Sequence, residues 1–171
     1  MARDTTLKVI NFLLFQAGWF LCVWLTNWIA VVISLVIVMV HLTVISRRPW
    51  PELRFILLGV VLGTLLDGLW FQTGILRDAS GSVWTPPWLM AIWALFLTTP
   101  GHSLVWMQER LWLPFVLAPV AGPFAYFAAN RLDAISFPHF TESLVALALG
   151  WLLIFPLLLW LQRHFFRETM T

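Results

Sequence analysis

An all-α polytopic membrane bundle of six transmembrane helices, with both termini cytoplasmic, is the architecture this sequence predicts on three grounds. Hydrophobic residues make up 61% of the chain and charged residues 11%, too little polar surface to cover a water-soluble globule. The apolar residues fall in long blocks separated by short polar punctuation, as successive bilayer crossings require. The ten Lys and Arg residues stand at the ends of those blocks, and most fall on one side.

A transmembrane helix needs about 20 apolar residues, and six blocks approach that length: 9–25, 28–45, 55–76, 88–107, 111–129 and 143–162. The first follows Arg3 and Lys8 in the manner of a signal peptide. No small-residue cleavage site follows it and the second block begins at once, so it is expected to be retained. The second carries His41 and ends before Arg47 and Arg48. The third carries Gly59, Gly63, Asp67 and Gly74, whose spacings of four and seven put them near one helical face. The fourth contains Thr98-Thr99-Pro100-Gly101-His102-Ser103. Pro100 lacks the amide that would bond the carbonyl of Phe96, so a kink or opening is expected there, with the hydroxyls helping to satisfy the backbone. The fifth is expected to be disrupted by Pro114, Pro119, Gly122 and Pro123, and the sixth by Pro156. Blocks continuous for five turns favour helices over a barrel. With no linker, charge run, low-complexity stretch or internal repeat, residues 1–171 read as a single domain.

Orientation follows from the basic residues. Arg3, Lys8, Arg47, Arg48, Arg54, Arg110, Arg163 and Arg167 share one side, against Arg77 and Arg131 on the other, which puts both ends in the cytoplasm. Trp24, Trp28, Trp84 and Trp88 then fall at the outer interface and Trp50, Trp106, Trp112 and Trp160 at the inner one, where indoles prefer to sit. Trp19, Trp70, Trp93 and Trp151 lie deeper, as packing or as the lining of a cavity. The net charge of +2 is accounted for by topology, so nucleic acid is not an expected partner. Membrane lipids and other membrane proteins are. The single cysteine, Cys22, excludes a disulfide framework or thiolate cluster within one chain.

An ionisable group in hydrocarbon costs several kcal/mol and is by default a functional candidate. Asp67 is the clearest, roughly 20 Å above the inner boundary at 1.5 Å per residue. A buried carboxylate serving packing and one coupled to a proton or ligand are both open. His41 and His102 lie at similar depth in the cytoplasmic half, each roughly 20 Å below the outer start of its span. Two histidines alone are weak grounds for metal or haem ligation, so no metal ligand set is assigned and haem is not expected. Thr98, Ser103, Gln16 and Tyr126 complete the candidate ligand or coupling set, with Asn11 and Asn130 as further polarity in the spans. Nucleophile elbow, zincin helix, Walker loop, dinucleotide fingerprint and cysteine pair are all missing, so no catalytic residue is assigned.

Asn11-Phe12, Gln16, Gly18-Trp19, Asp67, His102-Ser103-Leu104 with Trp106, Gly122-Pro123, Tyr126 and Arg131-Leu132 together carry a resemblance that runs nearly the length of the chain. The sequence resembles the bacterial inner-membrane proteins of domain-of-unknown-function family 2878. It departs from the family pattern at Pro100-Gly101, where Leu-Asn is frequent. The resemblance implies a bacterial inner-membrane location and brings no activity or catalytic residue. Three classes of function are therefore open: a small carrier or binder of an apolar or amphipathic ligand, a noncatalytic subunit of a larger membrane complex, and a membrane enzyme acting on lipid or quinone through His41, His102 or Asp67.

Overall fold

The computed structural model describes residues 2–169, without the side chains of Ala2 and Arg3, so the Arg3 guanidinium counted above lies outside the described residues. The chain is all-helical. The helices are α1 (Ala2–Leu25), α2 (Trp28–Val40) running into a π-helical turn His41–Ile45, α3 (Pro49–Gln72), α4 (Pro87–Phe96), α5 (Leu113–Arg131) and α6 (Phe140–Phe165). Short 3-10 turns cover Val105–Gln108 and Arg167–Thr169. Five helices are long and apolar enough to cross a membrane: Asp4–Leu25, Trp28–Ile45, Pro49–Gln72, Leu113–Arg131 and Phe140–Phe165.

Local chemistry sets the boundaries. Thr26 turns the chain with φ of 47°, and Asn27 then caps α2 by accepting from the amides of Ile29 at 3.0 Å and Ala30 at 3.3 Å. Pro49 and Pro87 open α3 and α4 in the first turn, where a missing amide costs nothing. The π turn after Val40 adds a residue to the ladder, with Ser46 N bonding His41 O at 2.9 Å, and so rotates His41 into the bundle.

The fourth block does not form the helix expected over 88–107. α4 stops at Phe96, before Pro100 is reached. The chain leaves the helix through tightened turns, Thr98 N to Leu95 O at 3.2 Å and Thr99 N to Phe96 O at 2.9 Å. The Thr98 and Thr99 hydroxyls bond those same two carbonyls at 2.7 Å each. Two threonines thus cap the helix with their own hydroxyls, and Pro100 forbids its resumption. Gly101 packs so closely on the carbonyl of Thr169 that a side chain there would collide with it.

The fifth and sixth blocks differ from expectation in the opposite sense. α5 runs unbroken through Pro119 and Pro123, and α6 through Pro156. Each proline removes one amide donor, and packing holds the helix across the gap. Gly74 also leaves the expected stripe, lying beyond the end of α3 in a turn with φ of 74°.

α4 is the hub, packed against α1, α2 and α3, while α5 pairs with α6 and α6 lies against α3. Its approach to α3 depends on glycine: any side chain at Gly63 would enter the Trp93 indole, and one at Gly59 would enter Leu97. The outward faces are apolar, with Leu13, Val36, Leu65, Val120 and Leu153 all exposed. A surface of this kind is stable only in hydrocarbon.

Candidate functional site

Two buried polar clusters and one apolar cavity meet around α4. On the α3 side, Asp67 is fully buried. Its Oδ2 accepts from Trp93 Nε1 at 2.7 Å and its Oδ1 from the Tyr126 hydroxyl at 2.6 Å, so one carboxylate ties α3 to α4 and α5. The Trp93 ring stacks on Trp151 at 5.2 Å, and Tyr126 stands edge-on to Trp70 at 5.7 Å. Trp151 Nε1 and Thr64 Oγ1 are buried without a hydrogen-bond partner.

The second cluster forms where the π turn, the first turn of α3 and the segment after α4 converge. Glu52 Oε1 lies 2.6 Å from His41 Nε2 and 3.0 Å from His102 Nε2, and all three residues are buried. The two imidazoles meet edge to face, 4.7 Å between centres. Behind them Asn11 of α1 acts as a clamp. Its Nδ2 donates to Thr98 O and Thr98 Oγ1, each at 3.2 Å. Its Oδ1 accepts from Ser103 N at 3.3 Å and Ser103 Oγ at 2.6 Å. Because a carbonyl can only accept and an amide N–H can only donate, these two backbone partners fix which way the Asn11 amide faces. Asn11 Nδ2 therefore also donates to His41 Nδ1, 3.1 Å away. His41 is then neutral, with its proton on Nε2 and donated to Glu52. One asparagine sets the tautomer of the histidine and the shape of the broken segment together.

The cavity lies between α1 and α5 and has a volume of about 350 Å³. Phe15, Trp19 and Val23 form its α1 wall; Ala118, Ala121, Gly122, Ala125 and Ala129 form the α5 wall. Trp93, Phe96, Trp151 and Phe155 make the back. Twelve residues of α5 separate Leu117 from Ala129, so it extends about 18 Å along that helix at 1.5 Å per residue. The space exists because α5 presents small residues where α1 presents aromatics, and no interruption of α5 is involved. The cavity and the Asp67 cluster share Trp93 and Tyr126, which face the cavity while bonding the carboxylate.

The candidates from sequence separate accordingly. Asp67 and Tyr126 meet in one cluster; His41, Thr98, His102 and Ser103 meet in the other. Gln16 is half-buried on α1 and joins neither the clusters nor the cavity wall. Sequence reasoning missed Glu52, which reads as an interfacial charge among Arg47, Arg48 and Arg54. The equal depth of His41 and His102 near the inner boundary was the signal that a carboxylate at the start of α3 could reach both. Trp88, expected at the outer interface, is buried and lines the cavity.

A family model described as a protein of unknown function, DUF2878, matches residues 8–157. No curated protein and no solved structure matches the chain.

Proposed function

We propose, for a chain that belongs to the DUF2878 family of proteins of unknown function, that it binds the apolar chain of a lipid or lipid-like molecule admitted sideways from the bilayer. The observation that carries this is the cavity of about 350 Å³ between α1 and α5, whose lining contains no charged side chain. Lipid tails are already in an apolar solvent, so the hydrophobic effect contributes little to such binding. What favours an occupant is dispersion contact with walls that would otherwise face a void. The flat stack of Trp93 on Trp151 and the small-residue face of α5 suit a linear or isoprenoid chain lying along α5. Carrier and binder share this step.

The topology that goes with this function has six crossings, both termini cytoplasmic, in a bacterial inner membrane. α4 supplies about 15 Å of the fourth crossing, half of a hydrocarbon core about 30 Å thick. The segment 97–108 completes it beside the inner end of α6, where Gln108 accepts from Arg163 and donates to Gln162 at 2.8 Å. The eight-to-two division of basic residues supports the orientation.

Mass spectrometry of lipids retained by the purified full-length protein tests the binding. One lipid class enriched over the bulk membrane, and lost when Ala125→Trp fills the cavity, is the expected result. A retained lipid profile that matches the bulk membrane and is unchanged in Ala125→Trp sinks the proposal.

A further inference from the structure

We propose that His41, Glu52 and His102 form a binding site for one divalent first-row transition-metal ion, of the zinc or iron(II) class. The argument begins with charge. Among the described residues, the ion-pair partners of Glu52 are the two histidines alone. Glu52 is buried, and a buried carboxylate without a cation is costly.

Both Nε2 atoms converge on one carboxylate, and the three ligand atoms lie within 4.8 Å of one another. Two imidazole nitrogens with one carboxylate oxygen is a borderline donor set of the kind that holds zinc or iron(II) with positions left open for water or substrate. The imidazole centres are 4.7 Å apart with a carboxylate oxygen shared by both Nε2 atoms, a spacing that fits a single ion and gives a porphyrin no slot. Coordination needs the Nε2 lone pairs, so each imidazole moves its proton to Nδ1 and no net proton is lost. At His41 the new Nδ1–H needs an acceptor, which Asn11 provides by turning its amide over and giving up its bonds to Thr98 O and Ser103 N, so that loading the ion must shift the segment that carries both. Asn11 is then the outer-sphere partner that orients the ligand, and through Thr98 and Ser103 it couples metal loading to the segment beyond α4.

The test uses the full chain in nanodiscs, stripped with a chelator and equilibrated with zinc(II) or cobalt(II) alone. About one ion per chain is expected, with cobalt giving visible d–d absorption. Binding should fall to background in Glu52→Gln and His102→Ala, and weaken about 10- to 100-fold in Asn11→Ala, the usual cost of an outer-sphere partner. Circular dichroism and a thermal melt of each variant separate a lost ligand from a lost fold. Should a variant fail to fold, the wild-type titration decides alone: failure to bind either ion, or cobalt bound without ligand-field bands from nitrogen donors, overturns the site. Binding that persists undiminished in folded Glu52→Gln and His102→Ala also overturns it.

Discussion

The hydroxyl of Tyr126, on α5, donates to Asp67, on α3, at 2.6 Å across the back of the apolar cavity. This bond fastens the α5–α6 pair to the part of the bundle built around α4, and it places a carboxylate one side chain away from the space a ligand would fill.

Asp67→Asn is expected to fold. Trp93 Nε1–H can only donate, so the new amide turns its oxygen to Trp93 and its nitrogen to Tyr126, whose hydroxyl can accept as well as donate. The loss of stability should stay within about 1 kcal/mol, the scale of one net hydrogen bond. Asp67→Leu leaves both donors unpaired and should cost about 2–6 kcal/mol, one desolvation penalty for each. Thermal melts in detergent measure both. Equal losses for the two variants would show that the hydrogen bonds are not what Asp67 contributes. A folded Asp67→Asn that no longer retains lipid would assign the charge itself to binding.

Glycine substitutions should separate rigid from yielding contacts. A methyl at Gly63 enters the Trp93 indole and one at Gly122 enters the Trp151 indole, and because these rings are stacked on each other, either methyl must break the stack or push a ring into the cavity. Gly63→Ala and Gly122→Ala should each cost about 1–3 kcal/mol by overpacking. Gly18→Ala meets mainly the Leu95 methyls, the movable end of a flexible side chain, and should cost less. The order of melting temperatures in one detergent decides it, and a Gly18→Ala loss as large as the others would contradict the aromatic wall as the rigid element.

Helical class and the approximate positions of five of the six helices were legible because apolar length is a local signal, although α3 begins at Pro49, six residues before its apolar block, where charged Glu52 and Arg54 hide the first turn. The end of α4 was legible only in part. Pro100 marks the break, but the helix stops one turn earlier, where the Thr98 and Thr99 hydroxyls take the carbonyls. Pro119 and Pro123 carry the same local signal and end nothing, because α6 packs along α5. Tertiary packing decides which proline breaks a helix. Asp67 was visible as a charge among glycines, whereas Glu52 was hidden among interfacial arginines, and its partners lie 11 and 50 residues away. The cavity was invisible, since an alanine-rich helix face reads as close packing until an aromatic face is known to lie opposite.

Topology can be read by labelling single cysteines after Cys22→Ala removes the native thiol. Ser80→Cys, in the loop between α3 and α4, should react with an impermeant maleimide in intact cells, and Leu111→Cys, between the 3-10 turn and α5, should react only after lysis. Both positions are exposed, so silence at either reflects its compartment. Labelling of both in intact cells would eliminate the fourth crossing and make α4 with its following segment a re-entrant element.

The last prediction concerns the proton that Asn11 assigns. In chelator-treated wild-type protein, the Asn11 amide donates to His41 Nδ1, so nitrogen NMR of histidine-labelled protein should find His41 in the Nε2–H tautomer. Asn11→Asp removes the donor and presents an acceptor. With that carboxylate ionised, His41 carries a proton on Nδ1, either by changing tautomer and losing its bond to Glu52 or by becoming an imidazolium between two carboxylates. The two outcomes differ in stability. A lost hydrogen bond to a charged acceptor costs about 1.5–3 kcal/mol, while an imidazolium between two carboxylates offsets much of that. In either case the Nδ1 resonance becomes that of a protonated nitrogen. A His41 spectrum that is the same in wild-type and Asn11→Asp protein would mean that the asparagine does not set the tautomer, and the coupling from α1 to the broken segment would lose its basis.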